Sequence, residues 1–539
     1  MKSSKTINTT INKTCLLTSL VALISISSVE VQAAELPRLV VNILIDQLRT
    51  DYLEAFAPLY SENGFKRLLT KSQYYADTQQ PFQGADRASA TACISTGAIP
   101  YDNGIPSLQW LSRQNLQPIY CVDDPSYAGL QTTEKTSPRY LLTTSLSDEL
   151  EMATGGRAIV YSICPERDMA VLLAGHAADG AFWVNDQTGA WSGTSYYGKY
   201  PDWAQTYERQ KSISSRINKL VWTPYYDGAL QSFHYYQNAS DADGRDFKHQ
   251  FKDDRRFRQL KTSALINEEV ALFIDKCLSA SGIGNDAVPD LLNVGLYAGN
   301  YEHQSVFRAP SELQDIYVRL DLALAHIFSS VEQIVRREDV LYVISSTGYA
   351  DSDADDIDFT GNRIPSGTFS MQRASMLLNM YLSVLYGQAQ YVEATFNQQI
   401  YLNHKLIEQK QQNFTDVLAR AEEFLSQMDG VRDVYTSQRL ALGAWVKGLD
   451  RVRSGWNSSR SGDIIVEANP GWRIVSEQDT EYVNQGEPYL SYPLFFMAPD
   501  VRVERLTAPV SAAAIAPTLA RSLRIRAPNG SREMPLVIK

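Results

Sequence analysis

The sequence predicts an α/β fold in which a central, mostly parallel sheet is flanked by helices and interrupted by insertions. Two observations carry this. Short, almost unbroken apolar runs recur along the chain, as in strands buried on both faces. Between them lie stretches with apolar residues at three- and four-residue spacing, the mark of amphipathic helices. The 539 residues are 44% hydrophobic and 21% charged, which excludes wholesale disorder, collagen-like repeats and a polytopic membrane protein.

Taken in order, the chain opens on a targeting segment. Lys2, Lys5 and Lys13 precede a short apolar stretch over Cys15 to Ser27, and Val31-Gln32-Ala33 supplies small residues around a cleavage point. This predicts a signal peptide over residues 1–33, export to the periplasm or outer-membrane surface, and a mature chain of residues 34–539. The apolar stretch is shorter than the ~20 residues that cross a bilayer, so no membrane span is expected after cleavage.

The first strand runs from Leu39 to Asp46. Comparable runs follow at Ala158–Ile163, Leu291–Leu296, Val340–Ile344 and Leu494–Met497, and Leu313–Ile334 reads as a helix. Two insertions break the rhythm. Residues 182–260 are rich in Trp, Tyr, Gly and Asp and read as loops and short elements. Residues 371–426 read as helical, with Gly430–Tyr435 returning as a strand. The acidic run Asp351–Asp356 lacks the glycine and the last acidic ligand of a calcium loop, so it reads as a solvated loop. After cleavage four cysteines remain, Cys93, Cys121, Cys164 and Cys277, among which the sequence selects no pairing.

Fifty Lys and Arg against 61 Asp and Glu give a net charge of −11, and no basic block marks a nucleic-acid surface. The six histidines are scattered, with no HxH or HExxH pair, and no G-x-S-x-G, P-loop or dinucleotide fingerprint occurs. Asp46, at the carboxyl end of a strand, suits either a hard-metal ligand or a helix cap. His303, in Asn300-Tyr-Glu-His303-Gln304, is the best lone histidine candidate, whereas His326 lies in a helical apolar pattern.

Several segments together resemble the alkaline phosphatase superfamily, namely the exported bacterial phosphatases with a threonine nucleophile and the related nucleotide pyrophosphatase/phosphodiesterases. They are Leu39 to Tyr52, Ile94-Ser-Thr-Gly97 with Asn103-Gly-Ile105, Tyr120-Cys121, Ser137-Pro138, Leu141-Leu142 and Ala174-Gly-His-Ala177. Tyr317 to Asp321, Gln399 to His404, Arg460 to Asp463, Pro470-Gly-Trp472 and Ile515 to Thr518 continue the series in the right order. The resemblance implies an alkaline-phosphatase-like sheet. It also implies two-zinc phosphoryl transfer, with a hydroxyl nucleophile between metals ~4 Å apart.

Carried over residue by residue, the frame survives and the chemistry does not. Asp46 alone keeps a ligand's identity. The nucleophile position falls on Arg87, which is permanently protonated and cannot attack phosphorus, and a nearby His position falls on Thr91. The family's paired Asp and His fall on Asn300 and Gln304, its Asp-His pair on Thr347 and Gly348, and its last metal His on Ser491. Of the groups that hold phosphate, the Asn falls on Leu108, and the Lys and Arg fall on Glu166 and Asp168, reversing the local charge.

The resemblance therefore implies a pseudophosphatase, a binding or scaffold subunit of the cell envelope without a catalytic residue or a cofactor. Its partner is expected to be an envelope protein, or an anionic small molecule contacting Arg87. Arg87 is expected to fill the vacated metal space and pair with Asp46. The alternative is a metal-dependent phosphomonoesterase or phosphodiesterase with relocated zinc ligands, for which Ser89, Thr91 and His303 are nearby candidates.

Overall fold

The computed structural model describes residues 36–226, 247–304, 309–351, 367–443, 448–475 and 490–538, so the leader expected over residues 1–33 lies outside them. In chain order the elements that matter here are β1 (Leu39–Asp46), β2 (Gln73–Gln79), α1 (Arg87–Thr96), β3 (Val160–Ile163), α2 (Arg167–Ala174) and β4 (Gly180–Val184). They continue with β5 (Asp290–Tyr297), α3 (Pro310–Ile334), β6 (Val340–Ser346), α4 (Met371–Tyr386), β7 (Val392–Phe396), β8 (Gln399–Leu402), β9 (Val431–Thr436), β10 (Ile464–Ala468) and β11 (Tyr492–Met497).

All eight residues of β1 are buried. Leu39, Val41, Ile43 and Ile45 point into one core and Val40 and Leu44 into the other, the alternation a strand imposes when both its faces are covered. Each such side chain removed from water contributes about 1.5–3 kcal/mol, which fixes β1 at the centre. It pairs in parallel with β5 on one side and β6 on the other. The full order is Glu504–Leu506, β2, β11, β6, β1, β5, β3, β4, Trp191–Thr194, Gly129–Leu130, and Val510–Ser511 also pairs with β2. The strands from β6 through β4 are parallel, whereas β11 is antiparallel to both its neighbours, so the predicted mostly parallel α/β sheet is present.

Within residues 182–260, the end of β4 and Trp191–Thr194 belong to this central sheet, because Phe182, Trp183, Val184 and Trp191 are buried core residues. Residues 367–475 build a second, four-stranded antiparallel sheet in the order β7, β8, β10, β9, with α4 and Phe414–Leu425 packed on it. The stretch read as helical thus also contains the β7–β8 hairpin. Its two-residue turn starts at Asn397, whose φ of 52° is the left-handed conformation such turns require. The four cysteines are buried and free. Among the described residues no helix is long and apolar enough to cross a membrane.

Candidate functional site

Register places the site. Asp46 sits beside Tyr297, and Ile45 beside Ser346, so three parallel strands deliver Asp46, Tyr297 and Thr347 to one carboxyl edge. In sheets of this kind that edge is where ligands collect. The Thr347 hydroxyl donates to Asp46 Oδ1 over 3.0 Å and the Tyr349 hydroxyl to Oδ2 over 3.4 Å. Burial pushes the Asp46 carboxyl up to about 6, against the opposing pull of Arg87 and the Thr347 hydrogen bond.

Two helices begin at the same place. Asp86 caps α1 through a capping box with Ser89, which sets Arg87 as the first helical residue. Glu166 and Asp168 stand at the start of α2. Helix N-termini carry partial positive charge, so the two carboxylates are well placed and a cation at Arg87 is not. Ion pairing offsets this. Arg87 donates from Nε to Asp168 Oδ2 over 2.9 Å and from Nη2 to Oδ1 over 3.0 Å, and lies 3.5 Å from Glu166 and 3.9 Å from Asp46. The Tyr120 hydroxyl donates to Asp168 over 2.8 Å. Burial alone would raise the Asp168 carboxyl, but the Arg87 charge and these hydrogen bonds hold it below the ordinary range.

Arg87 therefore ion-pairs with Asp46, at 3.9 Å, and makes its closer, bidentate pair with Asp168. The geometry decides it, since a guanidinium meets a carboxylate best by two parallel bonds, which only Asp168 accepts. A second buried cation, Lys261, bridges Glu166 at 2.9 Å and Asp186 at 2.5 Å. Burial opposes ionisation of Glu166, yet Arg87 and Lys261 together hold its carboxyl low. At the rim, His303 Nδ1 lies 2.7 Å from Asp351, whose charge raises the imidazole to about 9. Asp351 is thus part of this network, not of a solvated loop, while the remainder of the acidic run, residues 352–356, lies outside the described residues.

The other predicted positions divide. Gly348 follows Thr347 with φ 75°, and a Cβ there would meet Gln80 at 3.1 Å, so a side-chain ligand at this position is strained. Asn300 accepts the Tyr297 hydroxyl on its carbonyl over 2.7 Å. Gln304 closes the short turn after it and is exposed. Ser491 reaches the edge through its carbonyl, which accepts the Thr50 N–H over 2.9 Å. Leu108 donates its N–H to Asp86 over 2.6 Å and adds an apolar side chain. Ser89, Thr91 and His303, the candidates for a relocated centre, are each engaged in other hydrogen bonds. Ser89 is bonded to Asp86, Thr91 to the carbonyl of Arg87, and His303 to Asp351.

Sequence reasoning missed Lys261, Asp186, Tyr349 and Asp351. Tyr349 and Asp351 follow Thr347 closely and could have been read from that proximity. Lys261 stands 95 residues from Glu166 with no local motif.

The described residues do not fit a two-zinc centre. Asp46 is engaged by two hydroxyls with a guanidinium nearby, and among the described residues no group of three or more His, Cys, Asp or Glu side chains is arranged to hold a metal ion.

The profile of type I phosphodiesterases and nucleotide pyrophosphatases matches residues 40–489. The chain belongs to this family. Its relatives include a protein of Myroides odoratus described as a calcium-transporting ATPase. That protein is 28% identical, with 97% of this chain and 98% of that one covered. Alkaline phosphatase PhoV of Synechococcus elongatus is 26% identical over 94% of this chain and 93% of its own. The crystal structure of wild-type alkaline phosphatase PafA is 25% identical, covers 94% of this chain and 99% of that one, and superposes with a TM-score of 0.81. The phosphodiesterase-family chain thus keeps the α/β frame of these enzymes around an internal ion network.

Proposed function

We propose that the protein is a non-catalytic member of its family, an exported envelope protein that serves as a binding or scaffold subunit. The observation that carries this reading is the bidentate pair between Arg87 and Asp168 at the position where the family's nucleophile would stand. A guanidinium cannot act as a nucleophile at phosphorus.

Electrostatics points the same way. Asp46, Glu166, Asp168, Asp186 and Asp351 outnumber Arg87, Lys261, Arg258 and His303 by five to four. A phosphate dianion entering there meets an excess of carboxylate in a low-dielectric pocket. Arg87 is also committed to its own carboxylates, which disfavours an anionic small molecule as its ligand and favours a protein partner.

Elemental analysis of the mature chain after zinc loading, alongside chromogenic assays with phosphate mono- and diesters, tests the reading. The expected result is zinc well below one ion per chain and no turnover. Two zinc ions per chain, with turnover abolished by Asp46→Ala, would replace it with the relocated-ligand phosphoesterase.

A further inference from the structure

Away from the ion network, the second sheet carries an open edge. β7 (Val392–Phe396) is terminal in its sheet and, among the described residues, pairs only with β8. Beside it lies α4, and helix and strand together line a groove of about 590 Å³. That volume lies within the ~300–1,000 Å³ typical of ligand sites. Met376 and Met380 contribute from the helix, and Val392, Glu393 and Thr395 from the strand. Asn379 clamps one end, its Oδ1 accepting the N–H groups of Tyr391 over 2.8 Å and Val392 over 3.1 Å.

Beyond its first turn, where Gln372 and Arg373 are exposed, the outward face of α4 is apolar where a solvated face is ordinarily polar. Ala374, Leu378 and Leu382 are buried, yet Met376, Met380 and Val384, spaced one turn apart on the other side, are 55%, 64% and 83% exposed. A contiguous apolar stripe of this kind marks an interaction surface, and methionine suits one because its flexible thioether adapts to varied partners.

We propose that this groove takes an extended segment of a partner protein, added as a fifth strand along β7. Apolar side chains at alternate positions would lie over Met376 and Met380, with a Lys or Arg opposite Glu393. The inference rests on the reading of the chain as a binding subunit and assigns that role a surface. The Val392 N–H is taken by Asn379 and the strand bulges between Val392 and Ala394, so the regular edge available for strand addition is Ala394–Phe396, where the two-residue period of a strand turns every second side chain towards the helix. These three residues match about 10 Å of extended partner. Charge selects the partner's polar residue, because Glu393 is the one ionisable side chain lining the groove and is exposed.

A random heptapeptide library panned against the immobilised mature chain tests this. Enriched sequences should alternate apolar and polar residues and carry a Lys or Arg. A synthetic consensus peptide should lose at least tenfold in affinity with Met380→Glu, and also when one alternating set of its nitrogens is N-methylated but not when the other set is. Glu393→Lys should turn the selection towards acidic peptides. Both substitutions lie at exposed side chains, so the fold is retained. No enrichment, enrichment without alternation, tolerance of Met380→Glu, or indifference to N-methylation overturns the proposal. So does a concentration-dependent dimer of the free chain that Met380→Glu abolishes, since the occupant would then be a second copy. Zinc content and turnover of the same preparation judge the binding-subunit reading separately, so a zinc-free, inactive chain that selects no peptide loses the groove alone.

Discussion

Arg87 meets Asp168 through two parallel hydrogen bonds of 2.9 and 3.0 Å, joining the first turns of two helices across the carboxyl edge of the sheet. Asp168 is fully buried, and Tyr120 supplies a further donor to it. The pair is a structural tie between α1 and α2 at the site itself.

Removing one partner of a buried ion pair leaves the other charge without compensation. Arg87→Ala is expected to destabilise the chain by about 3–5 kcal/mol in urea unfolding. Arg87→Lys restores the charge but not the fork, and recovers less than half of that loss. The double substitution with Asp168→Ala should cost less than the sum of the single ones. Strict additivity would show that the pair contributes nothing.

Asp46 titrates in the opposite sense from a salt-bridged carboxylate. Its folded value is raised from 3.8 to about 6, so folding favours the protonated form. The stabilising contribution is complete below pH ~4 and is lost as pH rises through about 6. Asp46→Asn, neutral throughout, should therefore exceed the parent in stability above pH 6, by up to about 3 kcal/mol. The difference should fade near pH 4. A parent more stable than the variant at pH 7.5 contradicts this account.

Zinc should leave thermal stability untouched. A ligand bound only by the folded state adds about 2.7 kcal/mol at a hundredfold excess over its Kd, enough to move the melting temperature by several degrees. Differential scanning fluorimetry with added zinc, and again with EDTA, is expected to show no upward shift. A rise that EDTA reverses would reveal ligands that Arg87 does not block.

His303 should remain protonated through neutral pH. Asp351 raises its imidazole to about 9, so the bonus from this pair is present below the ordinary 6.5 and lost as pH climbs through 9. The Hε1 resonance of His303 followed by NMR should titrate near that value, and Asp351→Asn should return it towards 6.5. An unchanged titration in the variant would remove Asp351 as the cause.

Much of this was legible in the sequence because burial leaves a local trace. An almost unbroken apolar run from Leu39 to Ile45 predicts β1, and counting from family landmarks places Arg87 and Asp168 in one pocket. Pairing preference was not legible. Asp46 and Asp168 are both carboxylates, and only the directions of two helix starts show which one accepts the guanidinium fork. Lys261 escaped because a single Lys in a helix reads as surface until the fold buries it against Glu166 and Asp186. The β7–β8 hairpin escaped because its turn is Asn397-Gln398 rather than the Asn-Gly pair that signals such turns.

Two substitutions of role meet in the Arg87–Asp168 pair. A side-chain cation stands near the aspartate that a metal would share, and side-chain anions stand at helix starts suited to a phosphate. Both charges are encoded, so both arrive with the polypeptide as it leaves the ribosome. If the chain is the zinc-free binding subunit proposed above, maturation of this pocket needs no metallochaperone, and its integrity does not follow the zinc supply of the cell. Cells grown under zinc starvation should accumulate the folded protein at the same level as replete cells.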